Sequence, residues 1–197
     1  IMVLGARNTV VHNSYIPDPE DHYSIDFDGV NDYVIVGNAG SVRALSFWFS
    51  PDVNIGTGTS TVRLMQWYAI GGSSYFGVHL GVATSIIANE TLTAMVNAQT
   101  RTSAVNYNFF AGNWYHVLLS WTGAYWDIAI NGTVVGVTGT GDGSAQSLLN
   151  FTALKWGRDG GTSDLYNGKL TDIATWTTGL ALASMAPILY NGGIPHD

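Results

Sequence analysis

The chain has 197 residues, no cysteine, 24 glycines, 11% charged residues and a formal net charge of −7. These figures exclude disulfides, cysteine–metal sites and cysteine nucleophiles, and a net negative charge without a basic patch sets the chain against a nucleic-acid backbone. No long apolar run is present to form a membrane-spanning helix, and many glycines with few helix-forming charged runs point to one all-β domain of short strands and tight turns.

Residues 1–21 read as an extended arm and residues 22–197 as the domain. Pro17 and Pro19, within Pro-Asp-Pro-Glu-Asp, suit neither strand nor helix. Ile1, Met2, Val3 and Leu4 form an apolar start, the arm's candidate contacts with a neighbour in an assembly. They are too few for a signal h-region and lack a cationic start, and an initial Ile suggests a processed chain or part of a longer one.

Within the domain, Asp28-Gly29 is a turn signal between two short alternating apolar runs, as in a hairpin. Residues 43–50 put Leu45, Phe47 and Phe49 on one face and Ser46, Trp48 and Ser50 on the other. Strands are expected at 62–70, 74–80 and 91–96. Gly112-Asn113 then launches a strand with Tyr115, Val117, Leu119 and Trp121 on one face. The firmest hairpin is 125–137, where Trp126, Ile128 and Ile130 alternate with Tyr125, Asp127 and Ala129 before an Asn131-Gly132 turn. Residues 152–157 and 169–175 complete the strands. Only 180–190 reads as helix, with Leu182, Met185 and Leu189 near one face and Asn191-Gly192 as its stop. No repeat of solenoid or propeller period is present.

Two stretches identify the chain best: Phe27-Asp28-Gly29-Val30-Asn31-Asp32-Tyr33-Val34 and Asn113-Trp114-Tyr115-His116-Val117. Three more follow in order: a hairpin ending in Asn-Gly within 114–135, Leu154-Lys155-Trp156-Gly157-Arg158-Asp159-Gly160 with its Gly-Arg turn, and Gly168-Lys169-Leu170-Thr171-Asp172-Ile173. The Leu-Tyr-Asn-Gly end of 180–193 closes the series. Together they resemble the laminin-G-like, concanavalin A-like lectin/glucanase jelly-roll family over about residues 22–193. The resemblance implies a two-sheet antiparallel β-sandwich, one sheet concave, with one short C-terminal helix. That fold hosts lectins, glycosidases and structural modules, so it does not by itself set function.

Glycoside hydrolysis uses a pair of carboxyl groups flanking the scissile bond. The chain has two glutamates, Glu20 and Glu90, and nothing similar to the Glu-x-Asp-x-x-Glu strand of the fold's β-glucan-cutting enzymes. Asp127 has no acidic neighbour two residues away. Nucleophile-elbow, phosphate-loop and zinc-type histidine motifs are missing as well, so no enzymatic activity is expected. His116 and His79 lie inside strands among apolar neighbours and read as structural.

Calcium takes six to eight oxygens from carboxylates, carbonyls and amides. Asp28, Asn31 and Asp32 are candidate ligands, with Asp142, Asp159 and Asp164 in glycine-rich loops, and some calcium-dependent members of the family use acidic loops at comparable places. Asp is equally a turn residue that bonds its own backbone, and Thr171 stands where the family often carries Asp, with Asp172 beside it. For glycans, Trp48, Trp67 and Tyr125 fall opposite the expected core face, either as sugar platforms or as a second apolar layer. The loops 54–61 and 138–147 are natural contact surfaces, and Asn89, Asn131 and Asn150 open Asn-x-Thr sequons.

Two non-catalytic roles follow. The first is a structural interaction protein, oligomeric within a larger assembly and docked through its arm and loops. In tone the sequence resembles jelly-roll proteins of tailed-phage virions, which implies a capsid or tail decoration protein. The alternative is an extracellular carbohydrate-binding, lectin-like module, with calcium as a possible cofactor.

Overall fold

Alternating apolar residues have to find a second sheet to bury their shared face, and here they do so twice over. The computed structural model describes residues 23–37, 42–56, 62–69, 75–81, 92–96, 100–121, 126–136, 151–157 and 165–195. Twelve strands run β1 (Ile25–Asp28), β2 (Val34–Val36), β3 (Ala44–Pro51), β4 (Val62–Ala69), β5 (Tyr75–Leu80), β6 (Leu92–Val96), β7 (Thr100–Val105), β8 (Tyr115–Trp121), β9 (Trp126–Ile130), β10 (Thr133–Val135), β11 (Phe151–Trp156) and β12 (Asn167–Trp176). One helix, α1 (Leu182–Tyr190), and a 3-10 turn (Asn191–Gly193) end the described chain. The front sheet has the order β1-β12-β3-β8-β9-β10 and the back sheet β2-β11-β4-β5-β6-β7, all neighbours antiparallel. This is the two-sheet sandwich with one C-terminal helix expected from the sequence.

The core lies between the sheets. Leu45, Phe47 and Phe49 of β3, Tyr115, Val117, Leu119 and Trp121 of β8, and Trp126, Ile128 and Ile130 of β9 face Leu64, Met65, Val78, Leu80, Leu92, Ala94 and Trp156 from the back sheet. Phe47 meets Trp156 across the gap edge to face, with centroids 5.3 Å apart at 68°. Burying each such side chain stabilises the fold by roughly 1.5–3 kcal/mol. The β9–β10 hairpin forms as expected: Asn131 and Gly132 both have positive φ, 49° and 76°, as a two-residue type I′ turn requires.

Two expectations need correction. Asp28-Gly29 does not make a hairpin: β1 pairs with β12 in the front sheet, whereas β2 pairs with β11 in the back sheet. The local bonding explains the disguise. Asp28 Oδ1 accepts the N–H groups of Val30 (2.7 Å) and Asn31 (3.2 Å), and Asp32 Oδ2 accepts that of Asp28 (3.1 Å). These bonds close a turn that carries the chain from one sheet to the other, and side-chain-bonded turns share the residue types of hairpin turns. The second is β7, the back-sheet edge strand, which the sequence reading passed over because Thr-Arg-Thr-Ser-Ala-Val has little apolar alternation.

Candidate functional site

The centre of the front sheet's outward face is closed. Leu182 and Ala186 of α1 bury against Leu118 and Ala129, with Trp176, Leu180, Met185 and Leu189 packed around them. Ser120 holds the approach to the helix, accepting the Leu180 N–H at 2.8 Å and donating its hydroxyl to the Leu180 carbonyl at 2.9 Å. The helix stops where Asn191 takes the left-handed conformation (φ 49°, ψ 39°) and its N–H reaches the Ile188 carbonyl. Tyr190, in the last turn, lies flat on Trp48, with centroids 5.5 Å apart at 17°. Trp48 is therefore 1% exposed. It is not an open sugar platform: the face opposite the core is itself a small second core. His116 belongs to the same layer, fully buried, with Nε2 2.8 Å from Ser46 Oγ. The structural reading of His116 holds.

The centre of the back sheet's outward face is also shut. Arg63 pairs with His79 and His79 with Thr93, while Lys155, Gln66, Gly77, Met95 and Arg101 form the adjoining row. The strands of this sheet contain three cations and no Asp or Glu. Yet His79 is 2% and Thr93 0% exposed, so these two side chains offer no open contact. Trp67 pairs with Leu154 on one side and Phe76 on the other, two positions along β4 from buried Met65. The Trp67 side chain lies outside the described residues. Tyr125 lies outside the described residues, as do Ile1, Met2, Val3, Leu4, Asp142, Asp159, Asp164, Asn89, Asn150 and the loop 138–147.

The acidic turn is described in full. Asp28, Asn31 and Asp32 are exposed, but the two carboxylates spend hydrogen-bond capacity on the turn's own N–H groups. Those donors hold the Asp28 carboxyl below its ordinary value, the Val30 N–H contributing most. Among the described residues no group of three His, Cys, Asp or Glu side chains is placed to hold a metal ion. Thr171 is likewise structural: its hydroxyl donates to the Tyr23 carbonyl at 2.6 Å. Asn131 is engaged too, its Oδ1 accepting the His116 N–H at 2.9 Å, which fits a turn residue better than a glycan acceptor.

One surface exposed among the described residues is the end of the sandwich where residues 51–56 meet 106–114. Ile55 and Phe109 exchange backbone hydrogen bonds of 2.7 and 2.8 Å, and the Gly112 N–H reaches the Pro51 carbonyl at 2.8 Å. Asn54 Oδ1 accepts the Ala111 N–H at 2.8 Å, and Tyr115 Oη accepts that of Phe110 at 2.8 Å. On this braced platform Phe110 is 56% and Val53 50% exposed. The sequence reading named 54–61 as a contact surface but missed 106–114. Its signal is the run Asn106-Tyr107-Asn108-Phe109-Phe110, where aromatics alternate with amides.

A family profile described as the concanavalin A-like lectin/glucanases superfamily (Laminin_G_3) matches residues 27–184. The chain belongs to this superfamily. The laminin-G-like match starts on β1 and ends inside α1, so it spans both sheets. Comparison with curated proteins finds no match. Among solved structures, a heptameric SAP-like pentraxin from Limulus polyphemus is similar at 17% identity and TM-score 0.60, over 85% of this chain and 81% of that one. Domain 4 of a GH43 extracellular arabinanase from Geobacillus stearothermophilus, in complex with arabinotriose, is similar at 12% identity and TM-score 0.60, over 88% and 79%. A Trypanosoma rangeli sialidase in complex with sialic acid is similar at 12% identity and TM-score 0.60, over 85% of this chain but only 27% of the sialidase. At these identities the likeness is one of fold.

Proposed function

We propose that this laminin-G-like domain is a non-catalytic carbohydrate-binding module that works outside the cell. The observation that carries the proposal is its membership of a lectin/glucanase superfamily, together with its similarity to an arabinanase domain held in complex with arabinotriose. The non-catalytic half rests on the sequence, which has two glutamates and no paired-carboxylate strand motif. A virion or other assembly role has less behind it. Its arm lies outside the described residues, and none of the structures named above is a virion protein.

Affinity electrophoresis of the full chain through gels containing arabinan, xylan, β-glucan, mannan or galactan, with and without calcium, tests this. A parallel assay follows reducing-end release. Retardation by at least one polysaccharide without release of reducing ends is the expected outcome. Release of reducing ends would make the protein an enzyme, and uniform mobility across all gels would remove the carbohydrate assignment.

A further inference from the structure

We propose that the braced end formed by residues 51–56 and 106–114 is the sugar-contact surface, with Phe110 as the stacking ring and a neutral saccharide as the ligand. This rests on the carbohydrate-binding reading above and gives it a place and a substrate class. Adjacent residues part company here: Phe109 is 0% exposed in the core, while Phe110 is 56% exposed. An exposed aromatic on a loose loop is unremarkable. Phe110 is not on one. Its N–H is held by Tyr115 Oη, its carbonyl accepts the Asn113 N–H at 3.3 Å, and the next N–H is held by Asn54. The backbone that carries the ring is held in this way, so little main-chain ordering entropy opposes binding.

The surrounding chemistry selects the ligand. Asn54, Asn106, Asn108 and Asn113 are all exposed on the two segments that form this end. Amides carry both donors and acceptors, matching sugar hydroxyls that do the same. Asn54 has its Oδ1 engaged by the Ala111 N–H, which leaves its NH2 group as the donor it would bring to a sugar hydroxyl. Asn108 lies against Gly56, its Oδ1 2.7 Å from where a Cβ would stand, so the two loops support each other's amides. Neither 51–56 nor 106–114 contains Lys or Arg, and Asp52 is exposed beside them. A carboxylated or sulfated sugar would find no counter-charge there and one repelling carboxylate. The apolar C–H face of a neutral sugar ring instead fits an aromatic flanked by amides.

The test is calorimetric titration of the full chain with neutral arabino-, xylo-, gluco-, manno- and galacto-trisaccharides, alongside Phe110→Ala and Phe110→Trp. Because Phe110 is largely outside the core, both variants are expected to melt close to the parent, which is checked first. At least one trisaccharide should bind, with affinity reduced about three- to ten-fold or more in Phe110→Ala and retained in Phe110→Trp. Unchanged affinity in a folded Phe110→Ala would overturn this surface and leave carbohydrate binding intact at another one. No binding by any trisaccharide or polysaccharide would take down both. A concentration-dependent dimer abolished by Phe110→Ala, without sugar dependence on that residue, would assign the patch to self-association and overturn the proposal.

Discussion

Replacing Tyr190 by Ala removes the lid from Trp48, and the consequence can be worked from the structure. Tyr190 is half-buried, stacked on Trp48 at 5.5 Å and close enough to Gly132 that a Cβ there would come within 2.9 Å of its ring. A half-buried Tyr removes about 100 Å² from water, worth about 2.5 kcal/mol at about 25 cal/mol per Å². The aromatic pair adds about 0.5–1.5 kcal/mol. Tyr190→Ala should therefore cost about 3 kcal/mol and lower Tm by about 6–12 °C for a domain of this size. Tyr190→Phe, which keeps the stack, should stay within about 0.5 kcal/mol of the parent. Urea denaturation gives the stability change. Acrylamide quenching of tryptophan fluorescence, compared with the same variant in a Trp48→Phe background, shows whether the newly accessible indole is Trp48. An unchanged urea midpoint with an unchanged slope would refute the claim that α1 seals this face.

Three further outcomes are expected. Gly157→Ala should abolish or severely weaken folding, by about 3 kcal/mol or more: Gly157 has φ +88° and a Cβ would collide with the Phe27 ring, so near-parent stability in a thermal melt would contradict the packing of the β1 edge. Asn131→Ala should cost about 1–3 kcal/mol, because it strains a positive φ and leaves the His116 N–H without its acceptor. Asn131→Gly relieves the strain but not the lost bond, so equal stability of both variants and parent would refute this account of the turn. The Asp28 carboxyl should titrate below its ordinary value of 3.8 in a carbon-detected NMR titration. Its folded value is depressed, so its stabilisation is present above the unfolded value of about 3.9 and fades as pH falls through the folded one. Asp28→Asn should flatten that acid branch, and a midpoint at or above the ordinary value would show that the turn bonds do not persist in solution.

The sandwich was legible because its information is local. The alternation in β3, β8 and β9, the Asn131-Gly132 turn and the Asn191-Gly192 stop each depend on residues close together in the chain. For Trp48 the sequence left a sugar platform and a second apolar layer both open, for the opposite reason, and the structure shows the second. Its row of β3 reads as outward, and only the docking of α1, from the far end of the sequence, turns that row into a second interior. The Asp28 turn misled for a different cause, since an aspartate bonding its own backbone looks the same whether the chain reverses within a sheet or crosses between sheets. The loop platform was half visible. Asn54 belongs to the polar loop 54–61 named from the sequence, whereas Phe110 stands apart only once its neighbour Phe109 takes the core position.

The most direct measurement is amide chemical-shift mapping of the full, isotope-labelled chain during titration with a neutral oligosaccharide that binds it. Shifts concentrated at Asn54, Phe110, Ala111 and Asn113, with the α1 and β3 amides unmoved, are expected from a sugar site on the braced loop end. Shifts centred on Trp48 and α1, or on His79 and Thr93 of the back sheet, would contradict it.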